Sequence, residues 1–122
     1  MSYNLNEMAT EATAPLGASA SFDGTPHDTS AWAYVRFRVL AASDKAGTVY
    51  IEQSADYDPA HPLLAHWFRT SETPVVADFN KVAIVAESLI TTKYVRASYV
   101  NGATSQGEFF MATALLAFSE TA

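Results

Sequence analysis

The chain has 122 residues, 49% hydrophobic and 16% charged, which is enough for one domain with one core and excludes a wholly disordered chain. Its 13 acidic against 7 basic residues leave a net charge of −6, a sign that repels phosphate and anionic lipid and so sets aside nucleic-acid and membrane-surface partners. With no cysteine, disulfides, thiolate zinc sites and cysteine nucleophiles are excluded.

Residues 1–16 are polar, small and aperiodic, and Pro15-Leu16-Gly17 closes them off. They show neither the basic nor the apolar region of a secretory signal. They predict an extended N-terminal arm ahead of a folded domain over residues 17–122. One reading is a frayed terminus. The other is a partner-binding arm, mobile in the free protein, that docks through Tyr3, Leu5, Met8 and Leu16.

From residue 18 onward the pattern is that of strands. Residues 18–22 form a short one, and Asp23-Gly24-Thr25-Pro26 is a turn. Residues 31–43 alternate cleanly, with Ala33, Val35, Phe37, Val39 and Ala41 on the core face and Arg36 and Arg38 opposite. Two readings stand for these arginines: pairing with Glu52 one strand over, or plain solvation. Residues 43–47 make a hairpin loop, and residues 48–54 return with Val49, Ile51 and Gln53 on one face. Residues 55–64 hold two prolines and two aspartates and read as a long loop. Residues 66–70 predict a short strand carrying Trp67, and residues 74–79 another. Residues 81–90 fit helix or strand, and β-branching tips them toward strand. Residues 92–100 alternate again, Asn101-Gly102 is a strong turn signal, and residues 107–118 form the last strand. The fold class predicted is all-β: an antiparallel sandwich or jelly roll of seven or eight strands.

The last strand is apolar on both faces. Phe109, Met111 and Leu115 share one; Phe110, Ala112, Ala114, Leu116 and Phe118 share the other. A sandwich core needs only one. Either the chain covers the second face itself, or Phe110, Ala112, Leu116 and Phe118 form an oligomer interface. The low charge fraction favours the interface.

Motifs for chemistry are sparse. Phosphate-loop, dinucleotide and nucleophile-elbow patterns are missing. Asp56, Asp58, His61 and His66 cluster in sequence, but their spacing matches no metal loop. Asp23 with Asp28, or Glu52 with Glu72, are the carboxylate pairs that could be offered for hydrolysis, and chance supplies such pairs among 13 carboxylates. Trp32, Tyr34, Tyr50, Tyr57 and Trp67 fit core or interface packing, or a sugar-stacking face. The expectation is no catalytic residue, no metal and no cofactor.

Two segments carry a resemblance. One is Ser43-Asp44-Lys45-Ala46-Gly47-Thr48-Val49-Tyr50-Ile51-Glu52-Gln53-Ser54-Ala55-Asp56, followed by Trp67. The other is Lys93-Tyr94-Val95-Arg96-Ala97-Ser98-Tyr99-Val100-Asn101-Gly102, running on through Gln106 to Phe109. Their order resembles a small β-sandwich module of tailed-bacteriophage structural proteins, over about residues 17–118. The link from hairpin to Trp67 is longer here than the short turn of that module. The resemblance implies a virion part that is not an enzyme. A module standing alone with an arm points to a capsid decoration (cement) protein on the outer head surface, whose partners are the major capsid protein and its own copies as a dimer or trimer. The alternative is a tail, neck or fibre-associated virion protein contacting carbohydrate.

Overall fold

The structure, a computed structural model, describes residues 5–30, 32, 34–80 and 83–118. Nine strands run through them: β1 (Leu5–Ala12), β2 (Ser21–Asp23), β3 (His27–Asp28), β4 (Tyr34–Ser43), β5 (Gly47–Ser54), β6 (Phe68–Val75), β7 (Ala83–Ile90), β8 (Tyr94–Asn101) and β9 (Phe109–Phe118). A single 3-10 turn, Pro62–Leu64, lies between β5 and β6. No helix among the described residues is long and apolar enough to cross a membrane.

The strands pair antiparallel in two sheets. One has the order β1-β9-β4-β7; the other has β2-β8-β5-β6, with β3 also pairing to β8. Period-two alternation sends every second side chain of each sheet into the space between them. Val35, Phe37, Val39 and Ala41 of β4 and Phe109, Met111, Leu115 and Ala117 of β9 meet Val49 and Ile51 of β5 and Val95, Ala97 and Tyr99 of β8. The result is the all-β antiparallel sandwich that the alternation predicts.

One polar side chain inside this core, Gln53, is fully engaged, whereas the buried Tyr99 hydroxyl has no hydrogen-bond partner. Gln53 points inward between the sheets. Its amide donates to the Thr70 hydroxyl at 3.1 Å and its carbonyl accepts from the Thr91 N–H at 2.9 Å. Gly47 lies directly against the Tyr99 ring, where a Cβ would collide with it. That close approach, more than a left-handed backbone, is what the position requires of glycine.

Three readings are corrected. Residues 66–70 and 74–79 are not two strands: β6 is continuous from Phe68 through Pro74 to Val75. Pro74 is tolerated because β6 is the sheet edge, where one side needs no N–H. Residues 5–12 are not a free arm. They form β1, paired with β9 from Leu5 opposite Ala117 to Ala12 opposite Met111. Main-chain pairing needs no apolar alternation, which is why the segment's composition did not announce it. Arg36 and Arg38 do not meet Glu52, which belongs to the other sheet. They bracket Glu87 of β7, at 3.4 and 3.1 Å.

Candidate functional site

The outer face of the five-stranded sheet carries an array of polar and aromatic side chains, and its geometry starts from a bulge. Ile51 pairs with Ser71, but Glu52 pairs with Arg69, so Thr70 is the extra residue. The bulge reverses which way β6 side chains point and brings Arg69 to the same face as Glu52. On the other side Glu52 pairs with Arg96 of β8. The Glu52 carboxylate therefore accepts from Arg96 Nε at 2.8 Å and from Arg69 Nε at 3.2 Å. Arg96 also lies 3.8 Å from Asp23, which accepts from the Ser98 hydroxyl at 2.8 Å.

Aromatic rings cover this charge row. Trp67 stacks on the Arg96 guanidinium at 4.1 Å, and Tyr50 on that of Arg69 at 3.8 Å. Tyr57, from the long loop, packs against Trp67 at 5.5 Å and against Tyr94 at 4.9 Å. The Glu52 side chain is 8% exposed, and both its oxygens face guanidinium donors. The row is a rigid platform of π faces and fixed charge, suited to contact.

The proposed carboxylate pairs do not converge. Asp23 serves Ser98 and Arg96, while Asp28 accepts from the Ser30 N–H and hydroxyl. Those bonds hold Asp28 below the usual aspartate value. Glu52 meets arginines, and Glu72 lies opposite Tyr50. In the long loop, Asp56 and His66 come together at 2.6 Å. The ring of His66 first, then its N–H and the Ser54 hydroxyl, hold the Asp56 carboxyl well below the usual carboxylate range. Asp58 instead caps its own turn by accepting from the Ala60 N–H. Among the described residues no group of three or more His, Asp or Glu side chains gathers as a metal site.

The five candidate stacking aromatics divide. Tyr50, Tyr57 and Trp67 belong to the platform. Trp32 and Tyr34 line a cleft of about 390 Å³ at the β7–β8 end of the sandwich, together with Leu89 and Lys93.

The two associating surfaces read from the sequence need revision. Tyr3 lies outside the described residues, as do the side chains of Leu5, Met8 and Phe118. Leu16 is spent on its own chain: it packs against the core, its N–H donates to the Gln106 side chain at 2.8 Å, and its carbonyl accepts from the Gln106 N–H at 2.9 Å. On the outward face of β9, Phe110 is half-buried, Ala112 is 1% exposed and Leu116 is 3% exposed. Cross-strand neighbours enclose these small and medium side chains; Arg36 stands opposite Leu116, and Leu40 opposite Ala112. A second chain is not needed to bury Ala112 and Leu116.

Exposed apolar side chains lie elsewhere, in a stretch the sequence offered only as a loop and strands. Leu63 and Leu64 of the 3-10 turn are 96% and 73% exposed, Phe68 at the start of β6 is 64% exposed, and Val76 just beyond β6 is 77% exposed. A prolyl turn followed by an apolar pair is the signal that could have marked them.

The motif residues are architectural. The Asp44 carboxylate accepts from the Gly107 and Glu108 N–H groups at 2.9 and 3.1 Å, tying the β4–β5 hairpin to the start of β9. These bonds, the one to Glu108 foremost, hold its carboxyl below the usual aspartate value. Asn101 donates to the Gly17 carbonyl at 2.8 Å and Gln106 to the Ser43 hydroxyl at 2.9 Å.

The chain is similar in fold to the crystal structure of the PBSX exported protein XepA. The TM-score is 0.75 at 22% identity, over 95% of this chain and 38% of that one. The chain thus spans well under half of XepA's length. Among curated proteins nothing matches the sequence. Residues 1–115 match the family model for the N-terminal domain of the uncharacterised protein YqxG, and the chain belongs to that family.

Proposed function

We propose that this protein is a bacteriophage virion component, a capsid decoration protein that binds the outer head surface through contact area and reinforces it. Its partners on this reading are the major capsid protein and further copies of itself, and it acts without catalysis, nucleic acid or membrane. The observation that carries the reading is the exposure of four apolar side chains, Leu63, Leu64 and Phe68 before and at the start of the edge strand β6 and Val76 just past its end. Exposed apolar side chains at the ends of an edge strand offer surface for a protein contact. The resemblance of the β5 and β8 segments to phage sandwich modules supports the virion setting. A ligand that binds only the assembled shell stabilises it by mass action, and many lattice-related copies make weak contacts collectively strong.

The test is to image intact particles and compare their heat resistance with and without the protein, and with a Leu63→Asp/Phe68→Asp variant. Many copies on the head, lost in the variant together with heat resistance, are expected. Density at the tail, or in a few copies, would favour the second reading, a tail, neck or fibre-associated protein contacting carbohydrate. The observation favouring that reading is the Trp67–Tyr57 platform.

A further inference from the structure

Strand β1 is attached to the rest of the chain in an unusual way. It is the outermost strand of its sheet and pairs with β9. Ala9 and Thr10 are exposed, so the middle of the strand contributes little to the core. Among the described side chains of β1, Ala12 packs against the core and Glu11 holds the strand by hydrogen bonds. The Glu11 side chain is 3% exposed and its carboxylate accepts three bonds: from the Thr113 hydroxyl of β9 at 2.8 Å, His27 Nε2 of β3 at 2.9 Å, and the Thr25 N–H at 2.9 Å. All three donors belong to the body, and none depends on which chain supplies the carboxylate.

The connection to the body is equally specific. Residues 13–15 are exposed. The chain bends at Ala14, just before Pro15, whose fixed φ limits the conformations open to the segment. Immediately afterwards the chain is pinned: Leu16 by Gln106, Gly17 by Asn101, and Ser19 by the Gly102 carbonyl at 2.8 Å. The chain therefore has an exposed three-residue hinge between a firmly anchored body and a strand held by its ladder, by Ala12 and by the Glu11 clasp.

We infer that β1 is an exchangeable strand, and that in the associated protein the β1 of one copy is seated on β9 of a second copy with Glu11 in that copy's clasp. Exchange of an identical element keeps every bond of the closed form and changes only the hinge, so concentration and hinge geometry decide which form prevails. The occupant is a second copy because the seat is already complementary to Leu5–Ala12 through its register and its three donors. This gives a definite form to the copy-to-copy contact proposed above and rests on that part of the reading.

The absence of cysteine makes a clean test. Thr10 and Ala112 are cross-strand partners. Thr10→Cys and Ala112→Cys are made as separate full-length variants, mixed at high concentration and oxidised. Exchange yields a covalent dimer linking residue 10 of one chain to residue 112 of the other, about tenfold above either variant oxidised alone, because the seated strand raises the local thiol concentration. A second variant lacks Thr13 and Ala14, so its hinge is too short to close. Light scattering is expected to find it as a dimer or larger species, with the β1 amides still protected from hydrogen exchange. A mixed-variant crosslink no higher than the controls, or a short-hinge variant that is monomeric with unprotected β1 amides, overturns the inference. A wild-type oligomer without the 10–112 crosslink would leave the copy-to-copy reading standing and remove strand exchange from it.

Discussion

The two outer faces of the sandwich invert what their residue types suggest. On the four-stranded sheet, β9 presents an apolar stripe that reads as an interface, yet Ala112 and Leu116 are almost wholly enclosed by neighbours in the same chain. On the five-stranded sheet the residues are charged, yet Glu52 is 6% exposed, clamped between Arg69 and Arg96 and roofed by aromatic rings. Side-chain length explains both. Alanine beside arginine and leucine lies below its neighbours' surface, whereas a carboxylate flanked by two guanidinium groups can be covered without losing its hydrogen bonds. Polarity along a strand therefore reports which atoms are present; the flanking strands decide which of them reach water.

The comparison can be broken most directly at Leu116. Leu116→Asp places a charge in an enclosed apolar position and is expected to lower the unfolding free energy by about 3 kcal/mol or more, read from urea denaturation. An unchanged midpoint would mean that the face is open after all. On the polar face, Glu52→Ala leaves two arginines facing each other without their shared anion. A loss of about 2 to 3 kcal/mol is expected, short of the fully buried case because Arg69 is exposed. Glu52→Gln, which keeps the packing, should recover part of it.

A smaller effect comes from Glu11. Burial pushes its carboxyl up, but the bonds from His27, Thr25 and Thr113 outweigh this and hold it below the ordinary 4.5. A depressed native value contributes stability that is complete above that ordinary value and is lost as pH falls through the native one. Glu11→Gln should thus cost about 1 kcal/mol at neutral pH. The penalty should shrink below the ordinary value, visible as a flatter acid limb in stability against pH. The least effect is expected at Glu87, whose bonds to Arg36 and Arg38 lie at the surface. Glu87→Ala should change stability by about 0.5 kcal/mol or less.

Strands β4, β5 and β8 were legible in the sequence because one buried face gives strict alternation, and their core residues Val35, Phe37, Val49, Ile51, Val95 and Tyr99 lie where alternation places them. β3 was not, since two residues carry no period. β1 was not, since its hold on β9 is made by main chain and by a Glu11 clasp assembled from residues far apart in sequence. The platform was legible only as a set of aromatic residues. Its geometry depends on the Thr70 bulge and on Arg96 and Arg69 flanking β5, and strand order of that kind leaves no trace in local pattern. The same ignorance of strand order misassigned Glu52 to Arg36 and Arg38.

The register of β1 on β9 also has a mechanical consequence. Leu5 stands opposite Ala117, so the two ends of this ladder emerge at the same corner. Tension applied across them loads the pair at a single rung and opens it like a zipper, each rung breaking before the next is stressed. A ladder whose ends left from opposite corners would be loaded in shear, with all rungs sharing the force. Under end-to-end tension the sandwich is therefore expected to give way first at β1, which would peel from β9 at low force while the remaining strands, tied by Asp44, Gln53 and Glu52, hold their places.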